Sequence, residues 1–293
     1  MTGLGVDLRD VGVRFGATVA LDGVSAAVRP GTICGLLGRN GSGKTTLLSV
    51  IAAFRRPTRG SVRVDGEVPW EHPRIVAGIA LVREGGDLPD VRVDEVLDYG
   101  AAMRPTWSAE VAERLLERFD VPPRQRVEHL SRGQRAALAA IVGLASRAPL
   151  TLLDEVTLGM DAPARHAFYD ELLAEYLAHP RTVVLASHLI DEVDRLLEHV
   201  VVLDRGRVLV ADEADALRAR GVRISGPAER VDAFVGDAQV LRRESLGRSA
   251  VVTLFGDLGA DVRARAAERE IEMHPLPLQD LFVHLTDRPG GPR

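Results

Sequence analysis

One lysine stands among the 37 basic residues of this 293-residue chain, and it lies within Gly38-Arg39-Asn40-Gly41-Ser42-Gly43-Lys44-Thr45-Thr46. The spacing is G-x-x-x-x-G-K-[ST]. In such a loop, backbone amides cradle phosphate oxygens, the lysine reaches the β- and γ-phosphates, and the hydroxyl serves a divalent cation. A compact ammonium on a flexible stem enters a backbone nest that a planar guanidinium does not. Chance survival of one lysine in an arginine-rich chain is the alternative, and the three glycines argue against it. These residues predict binding of a nucleoside triphosphate.

Two further groups bear on the fate of a bound triphosphate. Leu150 to Leu153 is an apolar run that ends in Asp154 and Glu155. Beside a phosphate loop, the first carboxylate suits the cation and the second is placed to polarise water. Without that loop the pair would be an ordinary solvated loop start. Ser131-Arg132-Gly133-Gln134 opens a helical stretch, and a hydroxyl and a glycine at a helix N-terminus either form an anion site or simply cap the helix.

Periodicity indicates the elements that must position these groups. Ile33–Leu37, Leu150–Leu153 and Thr182–Ala186 are short continuous apolar runs, expected as strands of a parallel sheet buried on both faces. Val11, Val13 and Phe15 alternate, as do Val24, Ala26 and Val28, then Val62 and Val64, which predicts a one-faced antiparallel sheet. Thr45 to Phe54 reads as the helix after the phosphate loop. Helical spacing recurs between about Val91 and Ser146, with Ser108 as an N-cap. The expected fold is α/β: a phosphate-loop NTPase core with an antiparallel β subdomain and a helical insert, plus a small C-terminal α+β appendage. The boundaries are 1–213 for the nucleotide domain, with the insert at about 88–146. The accessory region covers 214–287, with a charged helix near Asp261 to Arg269 and an apolar one at Leu278 to Leu285, and 288–293 forms a disordered tail.

Composition narrows the class. Net charge is −5, with 42 acidic residues among the basic ones, so no electrostatic footprint for nucleic acid is expected. The single cysteine, Cys34, sits in an apolar run and reads as a core residue. No apolar run reaches the ~18 residues of a membrane span and no signal pattern opens the chain, which predicts a soluble cytoplasmic protein.

The order GRNGSGKT, LSRGQ, LLDE, LGMD (Leu158 to Asp161) and Ser187-His188 resembles the ATP-binding subunit of an ABC transporter. The resemblance covers roughly residues 5 to 212. RPTWSAE, LASRAPL and the closing PLPLQDLFVHLT resemble the export-type subfamily, whose integral-membrane permease is a separate polypeptide. It implies ATP and Mg²⁺ as ligands, and a head-to-tail pair of ATP-binding subunits, as a homodimer, held by the permease at the inner face of the membrane. Residue by residue, it implies that Gly38, Arg39, Asn40, Gly41, Ser42, Gly43, Lys44, Thr45 and Thr46 cradle the phosphates. Thr45 and Asp154 would hold Mg²⁺, Glu155 would act as the base, and His188 would contact the γ-phosphate and the attacking water. Ser131, Gly133 and Gln134 would cap the nucleotide of the opposite subunit, with Asp161 organising the contact. Phe15 would stack on the base, although its period-2 spacing equally suits a buried strand residue.

Three positions depart from the family pattern. Arg132 replaces the first glycine of the usual LSGGQ, and Val156 the proline after the base. Glu84 stands for the glutamine that ligates the metal, with Arg83 one residue earlier as the alternative register. A non-transport ABC-type ATPase with a regulatory role is the competing function. Such proteins usually carry two nucleotide domains or a long coiled coil, whereas this chain has one phosphate loop and no sustained heptads.

Overall fold

The computed structural model describes residues 3–83, 85, 88–235, 239–256, 266 and 268–286. The chain divides into two compact units, Met1–Ala211 and Asp212–Arg293. The first begins with β1 (Val6–Phe15), β2 (Thr18–Val28), β3 (Ile33–Leu37), α1 (Lys44–Ile51), β4 (Arg59–Val64), α2 (Pro73–Ala77) and β5 (Ile79–Arg83). It continues through α3 (Val93–Met103), α4 (Ala109–Arg118), α5 (Arg132–Ala145), β6 (Leu150–Asp154) and α6 (Ala162–Ala178). β7 (Thr182–Ser187), α7 (Ile190–Val193), β8 (His199–Asp204) and β9 (Arg207–Glu213) complete it.

The apolar runs become the middle of a six-stranded sheet ordered β5-β6-β7-β3-β8-β9. Every residue of β3, β6 and β7 is buried, and the pairings of β3 with β7 and of β6 with β7 are parallel. Strands closed on both faces need continuous apolar sequence, which is why these segments do not alternate. β1, β2 and β4 alternate instead and form a separate antiparallel sheet, ordered β2-β1-β4. Leu47, Leu48 and Ile51 of α1 join one buried cluster with residues of both sheets, among them Val13, Val64, Leu152 and Val184. That packing anchors the helix on which the phosphate loop ends.

The insert supplies α3, α4 and α5. Ser108 caps α4, its hydroxyl accepting from Val111 N at 3.3 Å. α5 is rich in alanine and nearly all buried from Ala136 to Ala145, and it approaches β5 closely enough that a Cβ at Gly143 would meet Val82 Cγ2 at 2.8 Å. Small side chains are what permit that approach.

The second unit runs α8 (Ala214–Arg220), β10 (Gly221–Pro227), α9 (Ala228–Val235), β11 (Gln239–Leu246), β12 (Ser249–Phe255), β13 (Glu272–Pro275) and α10 (Leu278–Thr286). Its strands are antiparallel in the order β11-β12-β10-β13, the arrangement of a split β-α-β plait. Ile224, Val231, Phe234, Val252 and Leu254 form its core. The charged helix expected near Asp261 to Arg269 and the expected tail fall largely outside the described residues. Among the described residues, no helix is long and apolar enough to cross a membrane.

Candidate functional site

Parallel strands deliver their following loops to one edge of the sheet, and ligands bind in the crevice there. The phosphate loop leaves β3, Asp154 ends β6, and Ser187 ends β7, which lies between them: Leu37 pairs with Ser187 and Asp154 with Ala186. The residue after β7, His188, is thereby brought beside the residue after β6, Glu155. A cleft of ≈ 410 Å³ opens at this edge. Among its walls are Asn40, Gly41, Gly43, Lys44, Thr45 and Thr46 of the loop, with Glu155 opposite.

The glycines of the loop serve backbone geometry. Gly41 and Gly43 have φ of 78° and 107°, a region that costs a residue with a Cβ. A side chain at Gly43 would also meet Ala20 O at 2.7 Å, and one at Gly38 would meet Leu203 O at 2.5 Å. Gly43 precedes the first turn of α1, so the loop's amides and the helix N-terminus face the cleft, the local setting for phosphate binding.

Lys44 is buried, and its ammonium donates to Gly38 O at 2.7 Å and Arg39 O at 3.3 Å. It also lies 3.3 Å from Glu155 Oε1, an ionic contact outside hydrogen-bond geometry, since that oxygen has no hydrogen-bond partner. His188 Nδ1 lies 2.9 Å from Glu155 Oε2. Glu155 has φ of 51° and its N–H donates to Ala186 O at 3.1 Å. A non-glycine held in the left-handed region stores strain that the surrounding structure must over-determine. Here it directs one carboxylate at both Lys44 and His188.

Asp154 is 4% exposed. Burial raises its affinity for a proton, and the Thr45 hydroxyl and the charges of Lys44 and Arg83 oppose that rise. Asp154 Oδ1 has no hydrogen-bond partner. A buried carboxylate with one unused oxygen and a hydroxyl donated to it is a donor set suited to a divalent cation that completes its shell with water and phosphate oxygens. Among the described residues there is no cluster of three or more His, Cys, Asp or Glu able to hold a metal ion. Glu84, the third expected ligand, lies outside the described residues.

Ser131, Gly133, Gln134 and Asp161 do not line the cleft. Ser131 Oγ accepts from Gln134 N, and Gln134 Oε1 accepts from Ser131 N, both at 3.1 Å, so the pair forms a capping box on α5. Asp161 caps α6 by accepting from Ala164 N at 2.9 Å. The two helix starts are neighbours, because a Cβ at Gly133 would meet Gly159 O at 3.2 Å, and the stem of Arg132 covers Gly159. Arg132 thus replaces glycine at a position where its side chain has packing of its own.

Phe15 is 44% exposed, so the buried-strand alternative is corrected: the residue closes the β1–β2 ladder opposite Thr18, beside the turn at Gly16, and its side chain is left open. Arg55 Cζ lies 4.2 Å from its ring centroid. Sequence reasoning attached no role to Arg55, and it treated Arg83 only as an alternative register. Arg83 pairs with Asp154 across the β5–β6 ladder and donates from Nη2 to Ser49 Oγ at 3.2 Å. The signal for Arg83 was its place as the last residue of a strand beside β6, which required knowing the strand order.

A phosphate loop between a parallel strand and a helix, with paired carboxylates two strands away, defines a phosphate-loop nucleoside triphosphatase. The ABC transporter family model matches residues 21–158. A Nod factor export ATP-binding protein I of Cupriavidus metallidurans is 34% identical over 209 residues, 69% of each chain. A protein of the same description from Rhizobium leguminosarum bv. viciae is 30% identical over 303 residues, 97% of this chain and 95% of the relative. A solved dimeric ATP-binding cassette bound to ADP and Pi superposes with a TM-score of 0.63 at 21% identity, over 71% of this chain and 98% of its own. The chain belongs to the ABC transporter ATP-binding family and is an ATP-hydrolysing subunit of that family.

Proposed function

We propose that this subunit powers an exporter, acting as a pair of identical copies bound at the cytoplasmic face of the membrane to a separate permease. The export direction draws on the descriptions of its relatives, and the pairing on the dimeric cassette of the same fold. The observation that carries the reading is the Lys44–Glu155–His188 chain in the cleft. These three groups supply a phosphate-binding cation, a base and a group that orients the base.

In this reading Lys44 exchanges its contacts with Gly38 O, Arg39 O and Glu155 for β- and γ-phosphate oxygens, and the N-terminal amides of α1 hold the remaining negative charge. Glu155, released from Lys44, orients the attacking water and accepts its proton, with His188 fixing the carboxylate. Thr45 and Asp154 would hold Mg²⁺, which when bound offsets charge on the β- and γ-phosphates. Phe15 stacks on the base. Ser131, Gly133 and Gln134 of the partner subunit close over the γ-phosphate, a role compatible with a helix start that lies outside the cleft of its own chain. Asp161 lies at the seam between copies.

The test is assembly. Glu155→Gln with ATP should run as a dimer in size-exclusion chromatography with light scattering, and Ser131→Arg in the same background should run as a monomer. The intact protein purified from membranes should retain a polytopic partner. A Glu155→Gln chain that binds ATP yet stays monomeric would contradict the sandwiched-nucleotide reading.

A further inference from the structure

The parallel strands start at the edge opposite the nucleotide cleft, and there the chain buries a guanidinium without full partners. Arg181, immediately before β7, is 2% exposed. Its Nη1 donates to His179 O at 3.2 Å and Glu175 O at 3.4 Å. Nε and Nη2 are buried and have no partner among the described residues. These two atoms share one edge of the guanidinium plane, the edge that grips two oxygens of an oxyanion side by side. Buried polar groups are ordinarily satisfied, and a charged one left open calls for a specific cause.

Nearby carboxylates are engaged elsewhere. Glu175 pairs with Arg147 at 3.1 Å and Arg114 at 3.4 Å, and Glu171 pairs with Arg114 and with Arg118 at 3.2 Å. Arg114, Arg118 and Arg147 share these two carboxylates and Arg181 pairs with neither, so the six side chains together carry an excess of two positive charges. Against this cluster lies a cavity of ≈ 430 Å³ whose walls include Thr106, Arg147, His179 and Arg181. Residues 178–180 form part of its wall and are exposed, and an ion gripped by the buried Nε–Nη2 edge would require this short connection to move. We infer that this cavity is a binding site for a doubly charged oxyanion of the phosphate class, gripped by the Nε–Nη2 edge of Arg181 and neutralised together with Arg147. Water would meet the two donors but leave the charge uncancelled, and a carboxylate would cancel only half of it.

The full-length protein is titrated with inorganic phosphate at constant ionic strength held with chloride, with saturating ADP in the nucleotide cleft. Melting temperature and ³¹P line width are followed. The wild type should show a saturable rise in melting temperature that Arg181→Met lacks, and Arg181→Lys, which keeps charge without the fork, should bind about tenfold more weakly. Without phosphate, Arg181→Met should melt at or above the wild type, since an apolar side chain replaces an uncompensated buried charge. Should Arg181→Met not fold, Arg147→Gln gives the second reading and should weaken phosphate binding several-fold. Response to phosphate and phenyl phosphate alike marks a phosphomonoester ligand, and response to phosphate alone marks the free ion; both support the site. No saturable shift in the wild type, an equal shift in Arg181→Met, or equal half-saturation by acetate overturns it.

Discussion

His188 and Glu155 are joined through Nδ1 and Oε2 at 2.9 Å, although 33 residues separate them in sequence. An ionised carboxylate only accepts, so the imidazole carries its proton on Nδ1 in this contact. In the neutral ring Nε2 is then an acceptor, and only the protonated ring carries a second donor. This link sets how the carboxylate faces an attacking water.

His188→Ala removes the contact and leaves Glu155 held by Lys44 alone. Turnover should fall by about 10²-fold or more, the usual contribution of a well-placed acid–base group, while ATP affinity stays within a few-fold. Steady-state hydrolysis alongside fluorescent-nucleotide binding checks both. Equal losses in binding and turnover would move His188 from orienting the base to holding the nucleotide.

Lys44→Arg should fail as fully as Lys44→Ala. The ammonium is enclosed by Gly38 O, Arg39 O and Glu155, and a branched guanidinium cannot occupy that enclosure without opening the loop. Hydrolysis by both variants should fall by at least about 10²-fold. Near wild-type hydrolysis by Lys44→Arg would show that charge alone is required.

Asp154→Asn should stabilise the protein while ending Mg²⁺-dependent hydrolysis. Burial holds the carboxyl above its ordinary value of 3.8. Between that value and its raised one, the folded chain keeps a proton that the unfolded chain has lost, so ionisation costs stability as pH rises through the window. The amide removes the cost. At neutral pH the melting temperature should rise by about 2–4 °C for each ~1 kcal/mol relieved, and the gain should vanish below pH 3.8. A pH series of thermal melts reads this directly.

The parts legible in the sequence are those where residue type and local order suffice. Continuous apolar runs at Ile33–Leu37 and Leu150–Leu153 announce doubly covered strands, and the glycine spacing before Lys44 announces a phosphate nest. Ser108 announces its helix by the same local logic. The hidden parts depend on strand order. Nothing local says that β7 lies between β3 and β6, and so nothing local brings His188 to Glu155 or Arg83 beside Asp154. Phe15 shows the opposite limit: alternation implied burial, but alternation does not register that a residue closing a ladder beside its turn can be left exposed. Arg181 was invisible for a third reason, since the burial of an arginine is decided only by the groups that pack around it.

The proposed mechanism rests on Glu155 as the base that turns bound ATP over. Single-turnover hydrolysis by Glu155→Gln, measured beside its ATP affinity, tests it most directly. The amide keeps the shape of the side chain and cannot accept the proton. Hydrolysis should therefore fall by about 10²–10⁴-fold, with affinity unchanged or tighter because Lys44 no longer has a carboxylate to leave. Turnover within a few-fold of the wild type, with ATP bound normally, would contradict the assignment of Glu155 and with it the mechanism built on this cleft.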